Sequence, residues 1–324
     1  MVREGTLAEA GMKPDAAEKI DAALTEWAGD TDEAFAVCVL RRGVIVLHKA
    51  YGTRDGKPMT VDTPSWMASS TKMLSGILVM LVVDQGLLDL DDVPGKHLPP
   101  LKGIKNNKPL TIRHMYLRTG GMDGHWGDSF HDMEERIASL FPFYRVEEKY
   151  EYSGTGMSLA CKILEAVSGE SLGSFYRNHL LDPLGCEHTT VADASAGARS
   201  VPLDYARICQ MLLNKGTYGN MRFMSEETFR KLLPRPLADV YGPQAAHWSG
   251  VGLEPGGAIG IGTKILPEPG LSDQTFGQEG ATKPTIRIDP EHELVIVMTR
   301  NGVGTNFAKY HPRFIEAIVK GMAE

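Results

Sequence analysis

Trp66-Met67-Ala68-Ser69-Ser70-Thr71-Lys72 leads directly into a largely apolar stretch, Met73–Val83. That order decides how the chain is read. A hydroxyl stands three residues before an amine, at the point where a loop becomes a buried helix. If Ser69 opens the helix, Lys72 lies one turn on and faces the same way. A serine is a weak nucleophile until a base takes its proton, and a lysine in that position is such a base. With 16 serines and 17 lysines among 324 residues, about one Ser-x-x-Lys is expected by chance, and the chain contains this one. Its weight therefore depends on what surrounds it.

Upstream, Lys13–Trp27 has apolar residues at helical spacing behind Pro14-Asp15, a favourable opening. Ala34–Leu40 and Val44–Ala50 are β-branched apolar runs parted by Arg41-Arg42-Gly43, the pattern of a hairpin. Downstream, Asp84-Gln85-Gly86 closes the buried helix in the manner of a C-cap. From Leu87 to Leu237 the period is mostly helical, with candidates at Ile112–Leu117, Met133–Leu140, Gly156–Val167, Leu172–His179, Leu203–Leu213 and Ser225–Leu233. Strand patterns return at Ala258–Ile265, Gln274–Gly277, Lys283–Ile288 and Leu294–Thr299, and Phe307–Met322 reads as a closing helix. Strands at both ends around a helical middle predict an α/β (α+β) fold with one antiparallel sheet built from both termini. The expected division is a sheet domain from 1–65 and 240–324, with 66–239 forming a mainly helical lobe and the site in the cleft between them.

Composition excludes several functions. A net charge of −7 and a pI near 5.8, with no basic run, argue against a nucleic-acid partner. The four cysteines, Cys38, Cys161, Cys186 and Cys209, form no CxxC pair and read as small buried residues. Residues 1–30 lack the apolar core of a signal peptide, and Met73–Val83 is too short to span a bilayer, so a cytoplasmic location is expected, or an exported one if a signal segment has been removed. Neither a GxGxxG nor a Walker loop occurs, and no cofactor is expected. Oligomeric state has no readable signal.

Three other stretches carry chemistry-bearing residues. Tyr152-Ser153-Gly154 precedes the helix from Gly156, where a tyrosine can project into a cleft as a proton relay. Tyr150 is an equal rival on local grounds, and packing explains either ring. Gly169-Glu170-Ser171-Leu172-Gly173 matches the Gly-x-Ser-x-Gly elbow, but a helical pattern precedes it where the elbow needs a strand. Ser171 is therefore read as a helix N-cap. The loop with Asp123, His125, Asp128, His131 and Asp132 gathers metal-capable groups at no metal-binding spacing, so no metal is expected.

Taken together, the segments resemble the serine β-lactamase and penicillin-binding-protein superfamily, with its class C and family VIII esterase branch nearest. Ser69-Ser70-Thr71-Lys72 resembles the SxxK box, and Tyr152-Ser153-Gly154 falls where members carry Tyr-x-Asn. Leu181-Asp182-Pro183-Leu184-Gly185 and Met211-Leu212-Leu213-Asn214-Lys215-Gly216 are similar to later landmarks. Gln278-Glu279-Gly280 takes the place of Lys-Thr-Gly or His-x-Gly. The resemblance spans about Gly11 to Met322.

What the resemblance implies is a serine hydrolase that forms an acyl-enzyme on Ser69, with Lys72 as base and Tyr152 as proton relay. The backbone N–H groups of Ser69 and Ala281 would form the oxyanion hole, and Gly154, Gln278 and Gly280 would line the substrate position. Burial and the helix dipole would lower the pKa of Lys72. The departures bear on substrate. Gln278 replaces an often cationic residue that binds a substrate carboxylate, Gly154 replaces an asparagine that contacts a substrate amide, and Arg118-Thr119-Gly120-Gly121 replaces His-Thr-Ser-Gly. A neutral small ester needs neither of the first two groups, so an esterase or related acyl hydrolase or transferase is expected. A β-lactamase or D-Ala-D-Ala peptidase, and a non-catalytic protein on the same fold, are the alternatives. Arg118 and Lys283 are the cations that could restore a positive charge.

Overall fold

The computed structural model describes residues 1–122 and 133–323. Its centre is an eight-stranded antiparallel sheet drawn from both ends of the chain. In chain order the strands are β1 (Phe35–Arg41), β2 (Val44–Tyr51), β3 (Arg235–Pro236), β4 (Ala258–Ile259), β5 (Lys264–Ile265), β6 (Phe276–Gly277), β7 (Thr285–Asp289) and β8 (Leu294–Arg300). Their order across the sheet is β3-β4-β5-β6-β7-β8-β1-β2, so the N-terminal hairpin is added beside the last strand. Phe35 lies opposite Arg300 and Arg41 opposite Leu294.

Both faces of this sheet are covered, which is why β1 is apolar almost without alternation and buried throughout. Phe35, Val37 and Val39 face one core with the helices Ala16–Gly29 and Phe307–Gly321, while Cys38 and Leu40 face the other. The two outer helices cross closely at small residues: a Cβ on Gly321 would stand 2.9 Å from the Cβ of Ala16. Trp27, fully buried, closes that layer with ring centroids 5.0 Å from Phe35 and 5.6 Å from Phe307. The opposite face is covered by Pro202–Leu213, which packs on β1, β7 and β8 although it belongs to the 66–239 stretch.

The next layer is organised by the helix Thr71–Asp84, in which every residue from Thr71 to Val82 is buried. A helix apolar on all sides must be a central one, and Thr155–Ser168 packs against it. At its end, Asp84 Oδ1 accepts bonds from Ser225 N–H, Ser225 Oγ and Thr228 Oγ1, tying it to the helix Glu226–Leu232.

Two expected elements come out differently. Ala258–Ile265 is not one strand but the hairpin of β4 and β5, folded over at Gly260–Thr263. The reason is contact with the central helix. A Cβ on Gly262 (φ +77°) would lie 2.2 Å from Lys72 O, and one on Gly76 would lie 2.3 Å from Ile261 O. Glycine on both sides lets the two backbones touch. Leu172–His179 is α-helical only to Tyr176, and Arg177–Leu181 continues in wider π turns. Pro183, just beyond, has no N–H to give to an α-type bond.

A small three-stranded sheet was not expected: Ser65–Trp66, Ala198–Ser200 and Thr190–Val191, in that order. It joins the entrance of the central helix to a turn some 130 residues away in sequence, and the site depends on it. The loop from Asp123 to Asp132, with its metal-capable groups, lies outside the described residues. Among the described residues no helix is long and apolar enough to cross a membrane, and no cluster of side chains could hold a metal ion.

Candidate active site

Ser69 sits in a 3₁₀ turn, Ala68–Ser70, and the α-helix proper starts at Thr71. The three-residue spacing still works, because residues three apart eclipse one another in a 3₁₀ turn. Ala68 is left-handed (φ 46°), a conformation costly for a residue with a side chain. The surroundings hold it there. Met67 N–H donates to Ala198 O at 2.9 Å, and Ala198 N–H donates to Thr71 Oγ1 at 2.9 Å. Thr71 Oγ1 in turn donates to Ala68 O at 2.7 Å, and Tyr205 Oη donates to Ser70 O at 2.6 Å. The result is a serine at the mouth of a helix whose neighbours fix its backbone.

Lys72 is 1 % exposed, and its Nζ donates to Ser69 Oγ at 3.2 Å and to Ser195 O at 2.8 Å. Burial lowers its pKa from 10.5 to about 7. The nearby Arg118 charge acts in the same direction, while Asp193 opposes both. A lysine in that range is a usable base near neutral pH, where an ordinary lysine is protonated. The carbonyl that holds it comes from the turn Asp193–Gly197. Asp193 Oδ1 accepts the N–H groups of Ser195 and Ala196 at 2.6 and 2.7 Å and so shapes that turn.

The two tyrosines separate cleanly. Tyr152 Oη lies 2.6 Å from Ser69 Oγ. Its ring centroid is 5.0 Å from Lys72 Nζ and 4.5 Å from the guanidinium carbon of Arg118. Tyr150 is buried away from the serine: its hydroxyl accepts from Arg118 Nη1 at 2.6 Å and donates to Val251 O at 3.0 Å. Ser69, Lys72 and Tyr152 are thus gathered at hydrogen-bond distance from four separate elements and turns, counting the Ser195 carbonyl. Ser171 is remote in kind: its Oγ accepts the N–H of Ser174 and caps the short helix Leu172–Tyr176.

On the facing side, Gly280 brings the third segment against the nucleophile turn. A Cβ there would stand 2.7 Å from Met67 O and 3.1 Å from Ser69 N. Thr282 Oγ1 donates to Trp66 O at 3.1 Å, and Lys283 N–H donates to Gly280 O at 2.8 Å, which fixes the turn around Ala281. Ala281 itself is exposed. Gln278, expected to meet substrate, is turned to another use: it is 4 % exposed, donates from Nε2 to Gly262 O at 2.9 Å, and accepts Glu279 N–H at Oε1, 3.0 Å. It stitches β6 to the β4–β5 hairpin. Glu279 follows it and is paired with Lys264 at 2.6 Å.

Gly154 has no side chain to offer, and a Cβ there would lie 2.7 Å from Ser195 Oγ. Arg118 is buried against the Tyr152 ring and presents no exposed cation, whereas Lys283 is exposed on the turn after Ala281. The role of the Ser195 turn has no side-chain signature, since the group that matters is a backbone carbonyl. Asp193 followed by small residues up to Gly197 was the available hint of a tight turn.

An antiparallel sheet covered on both faces, with a lysine-paired serine at the head of a central helix, defines the β-lactamase/transpeptidase architecture. The family model described as Beta-lactamase matches residues 31–320, and the chain belongs to that family. Protein flp of Staphylococcus aureus (strain MW2) is 24% identical over 184 residues, covering 52% of this chain and 37% of that protein. The chain thus spans well under two thirds of the length of that relative. Among solved structures, EstCE1, described as a hydrolase with promiscuous acyltransferase activity, superposes with a TM-score of 0.76 at 17% identity over 97% of this chain and 100% of that one. A family VIII carboxylesterase gives 0.75 at 16% identity, over 95% and 98%. At such identities the two structures speak for the fold.

Proposed function

We propose that this protein is a serine hydrolase that cleaves a small neutral ester through an acyl-enzyme on Ser69. The observation that carries the reading is the double contact of Ser69 Oγ, 2.6 Å from Tyr152 Oη and 3.2 Å from a lysine whose pKa is about 7. In the first half-reaction the Ser69 proton passes to Lys72, directly or through Tyr152, as Oγ bonds to the ester carbonyl carbon. The negative charge that forms on the carbonyl oxygen is received by the N–H groups of Ser69 and Ala281, whose segments Gly280 holds in contact. Collapse breaks the bond to the alcohol, which leaves with the proton returned by the relay. In the second half, water gives a proton to the same relay and attacks the acyl carbon, and Ser69 departs with its proton restored.

The ester preference is supported by what the site lacks. Gly154 offers no amide, the Gln278 amide is engaged with backbone, and Lys264 is paired with Glu279. Among the described residues that leaves Lys283, exposed on the turn after Ala281, as the cation placed to meet a β-lactam or peptide carboxylate. The fold is shared with a family VIII carboxylesterase and so accommodates ester cleavage. Short-chain p-nitrophenyl esters should be hydrolysed and nitrocefin turned over poorly, and Ser69→Ala should abolish the esterase activity. Unchanged turnover by that variant would refute the assignment.

A further inference from the structure

Arg118 ends the helix Ile112–Leu117 in the left-handed region (φ 59°, ψ 39°) and its side chain turns inward, leaving the residue 5 % exposed. The guanidinium carbon lies 4.5 Å from the centroid of the Tyr152 ring and 5.9 Å from that of Tyr150. Nη1 is spent on Tyr150 Oη at 2.6 Å, and Nε is buried without a hydrogen-bond partner among the described residues. Among those residues no carboxylate pairs with it, whereas the buried Arg287 has Glu268 at 2.6 Å. A buried cation with no carboxylate partner among the described residues and a left-handed backbone both cost stability, and such costs gather at functional sites. Its place is against the face of the ring whose hydroxyl touches the nucleophile.

We infer that Arg118 is a positioning residue of the Ser69 site: it backs the Tyr152 ring and supplies the fixed positive charge toward which negative charge develops on Ser69 Oγ and Tyr152 Oη. The inference rests on the Ser69 reading given above. A guanidinium stacks flat on an aromatic face and never loses its charge, so it can do both at once. The same charge disfavours a second cation on Lys72, and it is the largest cause after burial of that lysine's lowered pKa. Among the described residues, Lys72 is also faced by Asp193 from the turn that carries Ser195, which opposes the effect, and by Tyr152 itself. Cys161 and Tyr116, on the neighbouring helices, are held protonated by burial. On Arg118's own helix, His114 is engaged with Glu147 at 3.0 Å.

The test is single-turnover acylation of the full chain by a p-nitrophenyl ester across pH 5–9, for wild type, Arg118→Met, Arg118→Lys and Tyr150→Phe. Arg118→Met should lower the acylation rate constant about tenfold or more, with a much smaller change in KM, and should move the acid limb to higher pH by about one unit. Arg118→Lys should keep the acid limb near the wild-type position while losing rate, since the charge remains and the guanidinium's contact with the ring does not. If Arg118→Met does not fold, Tyr150→Phe carries the test: it frees the guanidinium from its anchor and should slow acylation several-fold. An acid limb and rate unaltered in Arg118→Met, a change confined to KM, or a Tyr150→Phe variant as fast as wild type when it alone can be measured, would overturn the inference. Failure of wild type to acylate at Ser69 would instead overturn the reading on which it rests.

Discussion

A Cβ at Gly154 would stand 2.7 Å from Ser195 Oγ, and the carbonyl of that same Ser195 is what Lys72 Nζ holds at 2.8 Å. The absent side chain and the lysine's anchor are therefore coupled. The resembled Tyr-x-Asn box would put an asparagine at the first of these positions, but here the Ser195 side chain stands in that space. Restoring the family residue should therefore harm the enzyme. Gly154→Asn is expected to push the Ser195 turn away, loosen Lys72, and reduce kcat about tenfold or more with the fold retained. Steady-state kinetics with circular dichroism check this; a variant as active as wild type would show that the turn can move without cost.

The activity should follow the protonation of Lys72. With a pKa of about 7 the amine is neutral above that pH and protonated below it, so kcat/KM should rise with pH through about 7 and then level off. A profile flat down to pH 5, or one still rising near pH 10, would show that another group is the base.

The same lysine should cost stability. Its pKa falls from 10.5 unfolded to about 7 folded, so between those values the unfolded chain binds a proton that the folded one does not. Stability from this group therefore rises with pH above about 7, and below it the folded state carries a buried cation at full cost. Lys72→Met should abolish activity yet raise stability by about 1–3 kcal/mol at pH 6, with a smaller gain at pH 9. Urea unfolding at the two pH values measures it. A variant less stable than wild type at pH 6 would mean that the hydrogen bonds of Lys72 outweigh its desolvation.

Ser171, the serine in the Gly-x-Ser-x-Gly match, should matter only to folding. Its Oγ accepts Ser174 N–H at 3.2 Å, and Ser171→Ala should cost about 1 kcal/mol while leaving kcat/KM unaltered. A large loss of turnover in that variant would return the elbow reading to consideration.

Much of the architecture is legible in the chain because its signals are local. The hairpin, the central helix and the Phe307–Gly321 helix each follow from apolar spacing and turn residues, and a strand set at each end implies one shared sheet. Other features arise only when segments meet. Ala258–Ile265 has the composition of one strand, and only contact with Lys72 and Gly76 explains why it folds over at Gly260–Thr263. Tyr150 and Tyr152 are equivalent by local sequence, and what separates them is the partner of each hydroxyl: Ser69 Oγ for Tyr152, Arg118 Nη1 and Val251 O for Tyr150. Gln278 has a side chain suited to a ligand, yet its amide is committed to Gly262 and Glu279 backbone. The Ser195 carbonyl is invisible to any reading of side chains.

The central claim is that Ser69 Oγ, set between Tyr152 and Lys72, becomes covalently acylated during turnover. Intact-mass spectrometry of protein quenched in acid within the first turnovers of p-nitrophenyl butyrate, followed by peptide mapping, addresses it directly. The account predicts one butyryl group per chain, located on Ser69, absent from Ser69→Ala and lost on standing before the quench. An ester hydrolysed at full rate with no adduct at Ser69, or with the acyl group mapped to another residue, would contradict it.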